Sequence, residues 1–177
     1  MIIWINGAFG SGKTTTAKKL HKLLKGSFIY DPEEAGVFIR KNSPEQFASE
    51  YADFQDIPLW REMNYKMLKS LAEGYDGAIV VPMTLVNPDY YNEIIGRLIS
   101  DIVDVRHFIL YLDKPTLIKR LKKRAWGFLS KEDFGITSID RCINAFDNHI
   151  TETKIFANSK SVDEIAQEIL QGCGFNK

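Results

Sequence analysis

The chain has 177 residues, of which 45% are apolar and 26% charged, with 23 basic residues against 23 acidic ones. This composition excludes a disordered chain, supplies no positive surplus for a dedicated nucleic-acid binder, and fits a single globular domain over residues 1–177. Cys142 and Cys173 form neither a metal-type spacing nor a disulfide framework, and no apolar run approaches the length of a membrane span, so a reducing, cytoplasmic setting is expected.

The first predicted element is a buried strand, Ile2-Ile3-Trp4-Ile5, which leads directly into Gly7-Ala8-Phe9-Gly10-Ser11-Gly12-Lys13-Thr14-Thr15. Gly7, four residues and then Gly12-Lys13-Thr14 make the phosphate-loop pattern in its required order of strand, turn and helix. Gly7, Gly10 and Gly12 can take backbone conformations closed to other residues. The N–H groups from Ala8 to Thr15 can therefore turn inward around anionic oxygens, at the positive end of the helix that follows. Lys13 is expected to reach the β- and γ-phosphates of a nucleoside triphosphate, and the Thr14 hydroxyl to ligate Mg²⁺.

Along the first helix Ala17, Leu20, Leu23 and Leu24 share a face, while Lys18, Lys19, Lys22 and Lys25 face water, with Gly26 as its stop. Ser27 to Tyr30 reads as a second strand ending at Asp31-Pro32. Asp31 has two compatible roles there: a ligand contact at a strand's carboxyl end, or the cap of a helix that Pro32 opens. Ser43-Pro44-Glu45-Gln46 reads as a capping box for a short helix, and Leu59, Met63, Met67 and Leu71 mark a longer one. Between them lies Tyr51 to Arg61, including Asp53, Phe54, Gln55 and Trp60. Its aromatics and carboxylates suit either a pocket for an uncharged, partly apolar acceptor or a packed turn belonging to the core. Arg40 and Arg61 can clamp an anionic group or simply sit at the surface. Residues 32–76 are thus the expected acceptor-binding region.

Ala78-Ile79-Val80-Val81 reads as a central strand, and Pro82-Met83-Thr84 follows it without the acidic residue that many motor-type ATPases carry at that point. Asn87-Pro88-Asp89 caps a helix reaching about Ser100. Val105 to Leu112 forms a fourth strand, with His107 as a core or edge residue. The next helix, after Asp113-Lys114-Pro115, places Arg120 and Arg124 on one face among Lys119, Lys122 and Lys123. That face is either a solvated basic surface or a means of neutralising a transferring phosphoryl group. Residues 125–140 have the composition of a lid, and Arg141 stands on the helix beyond. Lys154 to Ala157 gives a fifth strand, Asn158-Ser159-Lys160 a loop, and Ser161 with Glu164 a capping box for the last helix. Alternating strands and helices imply an α/β fold, a parallel sheet with helices on both faces.

The phosphate loop, the RLKKR segment from Arg120 and the five strand–helix units resemble P-loop kinases of the nucleoside-monophosphate and shikimate kinase type. That resemblance implies a sheet order of 2-3-1-4-5, ATP as cofactor with Mg²⁺, phosphate and adenine contacts from Arg120, Arg124 and Arg141 beside the lid, and adenine-edge contacts near Asn158. A narrower resemblance, to the tunicamycin-resistance proteins, rests on MIIWINGAFGSGKT, YDPE from Tyr30, DFQ from Asp53, PLWR from Pro58, VPMT from Val81, NEIIGRL from Asn92 and IDRC from Ile139. It implies an ATP-binding protein whose partner is tunicamycin or a similar nucleoside-like small molecule. It also implies acceptor contacts between Asp53 and Arg61, and leaves peripheral membrane contact open. Two functions follow from it: phosphoryl transfer to a hydroxyl, with Asp31 or Asp53 accepting the proton, or binding and sequestration without catalysis.

Overall fold

The structure is a computed structural model that describes residues 1–124 and 135–175, with the Arg124 and Ala48 side chains outside that description. Strand β1 (Ile2–Gly7) is fully buried along its length, as its apolar run predicts. It lies at the centre of a five-stranded sheet of order β2-β3-β1-β4-β5, in which β2 (Phe28–Ile29), β3 (Ile79–Pro82), β4 (Val105–Tyr111) and β5 (Thr153–Phe156) complete the set. Every pairing is parallel, with Ile2 opposite Ile79 on one side and Val105 on the other. All carboxyl ends therefore point to one edge, where open α/β sheets hold their ligands.

Alternation along β1 divides the core between the two faces. Ile3 and Ile5 pack with Ala17 and Leu20 of α1 (Lys13–Leu23), Leu117 of α7 (Lys114–Arg124), Phe146 of α8 (Ile139–Asn148) and Ile169 of α9 (Val162–Gly172). Ile2 and Trp4 pack on the other face. Their partners are Ile39 of α2 (Pro32–Lys41), Trp60 and Leu68 of α4 (Pro58–Gly74), and Ile94, Ile95 and Leu98 from the helical stretch after β3. That stretch begins as α5 (Pro88–Tyr91), passes through a π-helical turn at Asn92–Gly96 and ends as α6 (Arg97–Ser100).

Two local expectations are corrected. Helix α3 (Glu45–Ser49) exists, but its cap is Pro44, at φ −55° and ψ 144°, and no side chain caps it. With ψ at 144° Pro44 is itself the capping residue, so the helix starts at Glu45, one residue too late for Ser43 to serve. The first helix ends at Leu23, before Gly26, which instead turns the chain at φ +73°. The capping box of α9 forms as read, with Ser161 Oγ accepting from the Glu164 N–H and the Glu164 carboxylate accepting from the Ser161 N–H.

At the carboxyl edge a polar residue is buried in an otherwise apolar strand. Asn6 Nδ2 donates to the Leu85 carbonyl (2.7 Å), and Asn6 Oδ1 accepts from the N–H groups of Leu85 (3.0 Å) and Gly7 (2.9 Å). Asn6→Ala would leave these backbone groups buried without partners, at about 1–3 kcal/mol each. Chemical denaturation of that variant is expected to show a loss of at least about 3 kcal/mol; a loss below about 1 kcal/mol would mean that water replaces the side chain.

His107 on β4 is buried and stacked on the Tyr91 ring at 5.6 Å, and burial lowers its pKa to about 3. An unfolded histidine titrates near pH ~6.5, so the folded state binds fewer protons in between and loses stability as pH falls through that window. Between pH ~7 and ~5 the protein is expected to lose about 2 kcal/mol more than His107→Phe. The native carboxylates with lowered pKa values, Asp101, Asp113 and Asp147 among them, are common to both proteins and cancel in the comparison. Parallel stability curves would exclude His107 as the acid-sensitive group.

Candidate active site

The phosphate loop has the shape its glycines allow. Gly10 and Gly12 sit at φ +83° and +102°, and a Cβ on Gly7 would fall 2.6 Å from Ser11 Oγ and 2.9 Å from the Leu110 carbonyl. Side chains at these points would clash or strain the backbone, so the loop closes around a concave backbone cradle at the start of α1. Lys13 Nζ donates to the carbonyls of Gly7 (2.9 Å) and Ala8 (3.2 Å) and lies 5.5 Å from the centre of the Phe9 ring. Thr14 and Thr15 are exposed at the first turn of α1, where they line the cleft. From α7, Arg120 Nη1 donates to the Ser11 carbonyl at 3.2 Å, which sets a guanidinium beside the cradle. The residues present thus suit a polyphosphate: Lys13 and Arg120 flank the loop backbone at the N-terminal end of α1.

Opposite the loop, α2 and the segment before α4 form a second wall. Asp53 opens a short 3₁₀ turn, Phe54–Asp56, its Oδ1 accepting from the Gln55 N–H at 3.0 Å. Arg40 Nη2 donates to the carbonyls of Tyr51 and Ala52, so its charge ties this segment to α2. Gly36 belongs here as well, because a Cβ would approach Phe54 Cγ to 2.7 Å. Gln55 Nε2 donates to the Thr84 carbonyl (3.0 Å), and Thr84 Oγ1 donates to the Gly7 carbonyl (2.8 Å).

These two walls bound one cleft of about 1300 Å³, lined by the phosphate loop from Phe9 to Thr16, by Arg120, Lys123 and Lys160, and by Glu33, Arg40, Asp53, Phe54, Gln55 and Thr84. The structure therefore brings together the loop residues and Arg120 with Arg40, Asp53, Phe54 and Gln55 from the segment expected to hold an acceptor.

Other candidates lie elsewhere. Trp60 is fully buried, its indole N–H donating to the Pro32 carbonyl at 2.9 Å and its ring 5.2 Å from that of Phe54. Arg61 is buried between the Gln55 carbonyl (2.6 Å), Glu93 (2.7 Å) and the face of Tyr90 (4.2 Å), so it braces the segment from behind. Burial and the hydrogen bond to Asp56 raise the Tyr90 pKa, keeping its hydroxyl a donor in that brace. Asp31 is exposed and caps α2 through the Glu33 N–H at 3.0 Å. Beside it, burial and the Asp31 charge push the Tyr30 phenol up to about 12, and that hydroxyl donates to Asn64.

Asn158 Oδ1 accepts from the Asp113 N–H at 3.0 Å, pinning the loop after β5 to the end of β4. Arg141 is exposed on α8. The lid expected over residues 125–140 falls mostly outside the described residues, as does the Arg124 side chain. Sequence reasoning missed Asn6 and Glu33, and read Lys123 only as part of the basic helix face and Lys160 only as part of the loop after β5. Only Asn6, a polar residue interrupting an apolar strand, carried a signal that could have found it.

The described residues contain no helix long and apolar enough to cross a membrane and no group of His, Cys, Asp and Glu placed to hold a metal ion by itself. Comparison with known proteins agrees with this geometry. The tunicamycin resistance protein of Deinococcus radiodurans is 27% identical, covers 99% of this chain and 96% of its own, and superposes with a TM-score of 0.81. A gluconokinase from Sinorhizobium meliloti 1021 (15% identity, 97% and 90% coverage, TM-score 0.64) shares the fold. So does the shikimate kinase of Aquifex aeolicus (18%, 98% and 96%, 0.60). No curated protein matches the chain in sequence. Residues 2–147 match the AAA domain family model, and the chain, with its phosphate loop and its 2-3-1-4-5 sheet, belongs to that family in its P-loop kinase-like form.

Proposed function

We propose that the protein transfers the γ-phosphoryl group of MgATP to a hydroxyl of a nucleoside-like small molecule, and that tunicamycin is such an acceptor. The observation that carries this reading is the shared cleft: a cradle of backbone donors and cations faces, across one continuous space, a wall that contains a carboxylate and an aromatic ring. The likeness to a tunicamycin resistance protein over nearly the whole chain supports the choice of acceptor.

In this reaction the acceptor oxygen bonds to the γ-phosphorus, the bridging bond to the β-phosphate breaks, and ADP leaves. Lys13 exchanges the Gly7 and Ala8 carbonyls for β- and γ-phosphate oxygens. The N–H groups from Ala8 to Thr15 hold the remaining phosphates, and the Thr14 hydroxyl ligates Mg²⁺. Arg120, with Arg124 and Arg141 from the lid side, offsets charge on the moving phosphoryl group. The loop at Asn158 borders the adenine. Phe54 lies against the acceptor, Arg40 and Gln55 hold the wall behind it through their bonds to backbone carbonyls, and Asp53, with Oδ1 held by the Gln55 N–H, accepts the hydroxyl proton through its other oxygen. Asp31 serves as the helix cap. One observation favours the second reading, sequestration without transfer: Pro82-Met83-Thr84 stands where an acidic partner for Mg²⁺ would be found.

Tunicamycin-dependent ADP formation separates these readings. Lys13→Ala and Asp53→Asn are each expected to lower it by about 10²-fold or more, whereas Asp31→Asn should stay within about fivefold, since asparagine caps a helix as well as aspartate. Loss of turnover in Asp31→Asn but not in Asp53→Asn would exchange their roles. Tight tunicamycin binding without any ADP formation would favour sequestration.

A further inference from the structure

We infer that Gln55 is a positioning residue that couples the acceptor wall to the phosphate loop, so that filling the loop with nucleotide orders residues 52–57. The inference rests on the proposed nucleotide site. Its basis is a chain of three hydrogen bonds that crosses the cleft floor. The Gln55 amide donates to the Thr84 carbonyl, the Thr84 hydroxyl donates to the Gly7 carbonyl, and the same Gly7 oxygen accepts from Lys13.

The two ends of this chain are anchored differently. Thr84 is 4% exposed, and its neighbour Leu85 is locked to Asn6 by both backbone groups, so the Thr84 end belongs to the rigid sheet. Residues 52–56, by contrast, are exposed or half-buried around the 3₁₀ turn Phe54–Asp56, with the buried Ile57 behind them, and their other side-chain ties run to helices: Arg40 of α2 to the Ala52 carbonyl, and Arg61 of α4 to the Gln55 carbonyl. The Gln55 side chain thus joins a turn carried by the helical layer to the frame that carries the phosphates.

Nucleotide binding acts on the far end of the chain. Anionic phosphate oxygens compete with the neutral Gly7 and Ala8 carbonyls for the Lys13 ammonium and draw it off them. When it leaves, Gly7 keeps the Thr84 hydroxyl as its donor, which strengthens that bond and steadies the Thr84 carbonyl for Gln55. Asp53, whose Oδ1 accepts from the Gln55 N–H, is positioned by the same turn. Because a small displacement of a reacting group can cost about 10²-fold in rate, tying Asp53 to the phosphate frame matters only when the nucleotide is in place.

The test is hydrogen exchange at the amides of residues 52–57 in the unaltered protein, in Gln55→Glu, which keeps the volume but sets an oxygen against the Thr84 carbonyl, and in Thr84→Val, which removes the hydroxyl. Each is measured free and with a non-hydrolysable MgATP analogue at a concentration that calorimetry shows to be saturating. The analogue is expected to slow exchange at 52–57 at least fivefold in the unaltered protein and less than twofold in either variant. Equal slowing in all three, or none in the unaltered protein, would overturn the coupling. If calorimetry finds no nucleotide binding, the proposed function fails by that reading alone. The free proteins then decide: exchange at 52–57 must be faster in Gln55→Glu, and equal rates would overturn Gln55 as the latch.

Discussion

Asn6 holds the carboxyl ends of β1 and β3 together, and the cleft is built outward from that joint. Its side-chain amide occupies the Leu85 N–H, the Leu85 carbonyl and the Gly7 N–H at once, in a fully buried setting where an unmet partner would be costly. The joint fixes the origin of the phosphate loop relative to Thr84. Thr84 in turn fixes the turn that carries Asp53, while Gly10 and Gly12 let the loop bend back over that floor. The sheet edge thus supplies rigidity, and α1, α7 and the 52–57 turn supply chemistry upon it.

Charge is distributed unevenly around that floor although the chain has as many acidic as basic residues. Lys13 and Arg120 lie at the phosphate-loop end of the cleft, and Glu33 and Asp53 belong to the end formed by α2 and the segment before α4, with Lys160 paired to Glu168 and Arg40 spent on backbone carbonyls. In the proposed reaction the first end takes the polyphosphate of the nucleotide. The second end is suited to a molecule that offers hydroxyls and an apolar face to Asp53 and Phe54. A gluconokinase and a shikimate kinase of quite different sequence share the fold, so the sheet by itself does not set what is bound.

Much of this was legible in the sequence, for physical reasons that differ by residue. The phosphate loop could be read because its glycines are demanded by backbone geometry at fixed spacing, and the strands could be read from their apolar runs. Sheet order could not be obtained from periodicity and came from resemblance. The segment from Tyr51 to Arg61 was recognisable as one unit, but its composition could not say which aromatic faces the cleft. The 3₁₀ turn decides that, turning Trp60 inward to the Pro32 carbonyl and leaving Phe54 at the wall. Arg61 was ambiguous for the same reason, since its partner Glu93 lies on a distant helix. Asn6 went unread although it is a polar residue in an apolar strand, for its partner Leu85 is 79 residues away.

The most direct test of the account is the intact mass of tunicamycin after incubation with the protein and MgATP. A gain of one phosphoryl group, with stoichiometric ADP, is the predicted result. Recovery of unmodified tunicamycin, whether or not it remains bound to the protein, would contradict the assignment of this cleft as the site of phosphoryl transfer to that acceptor.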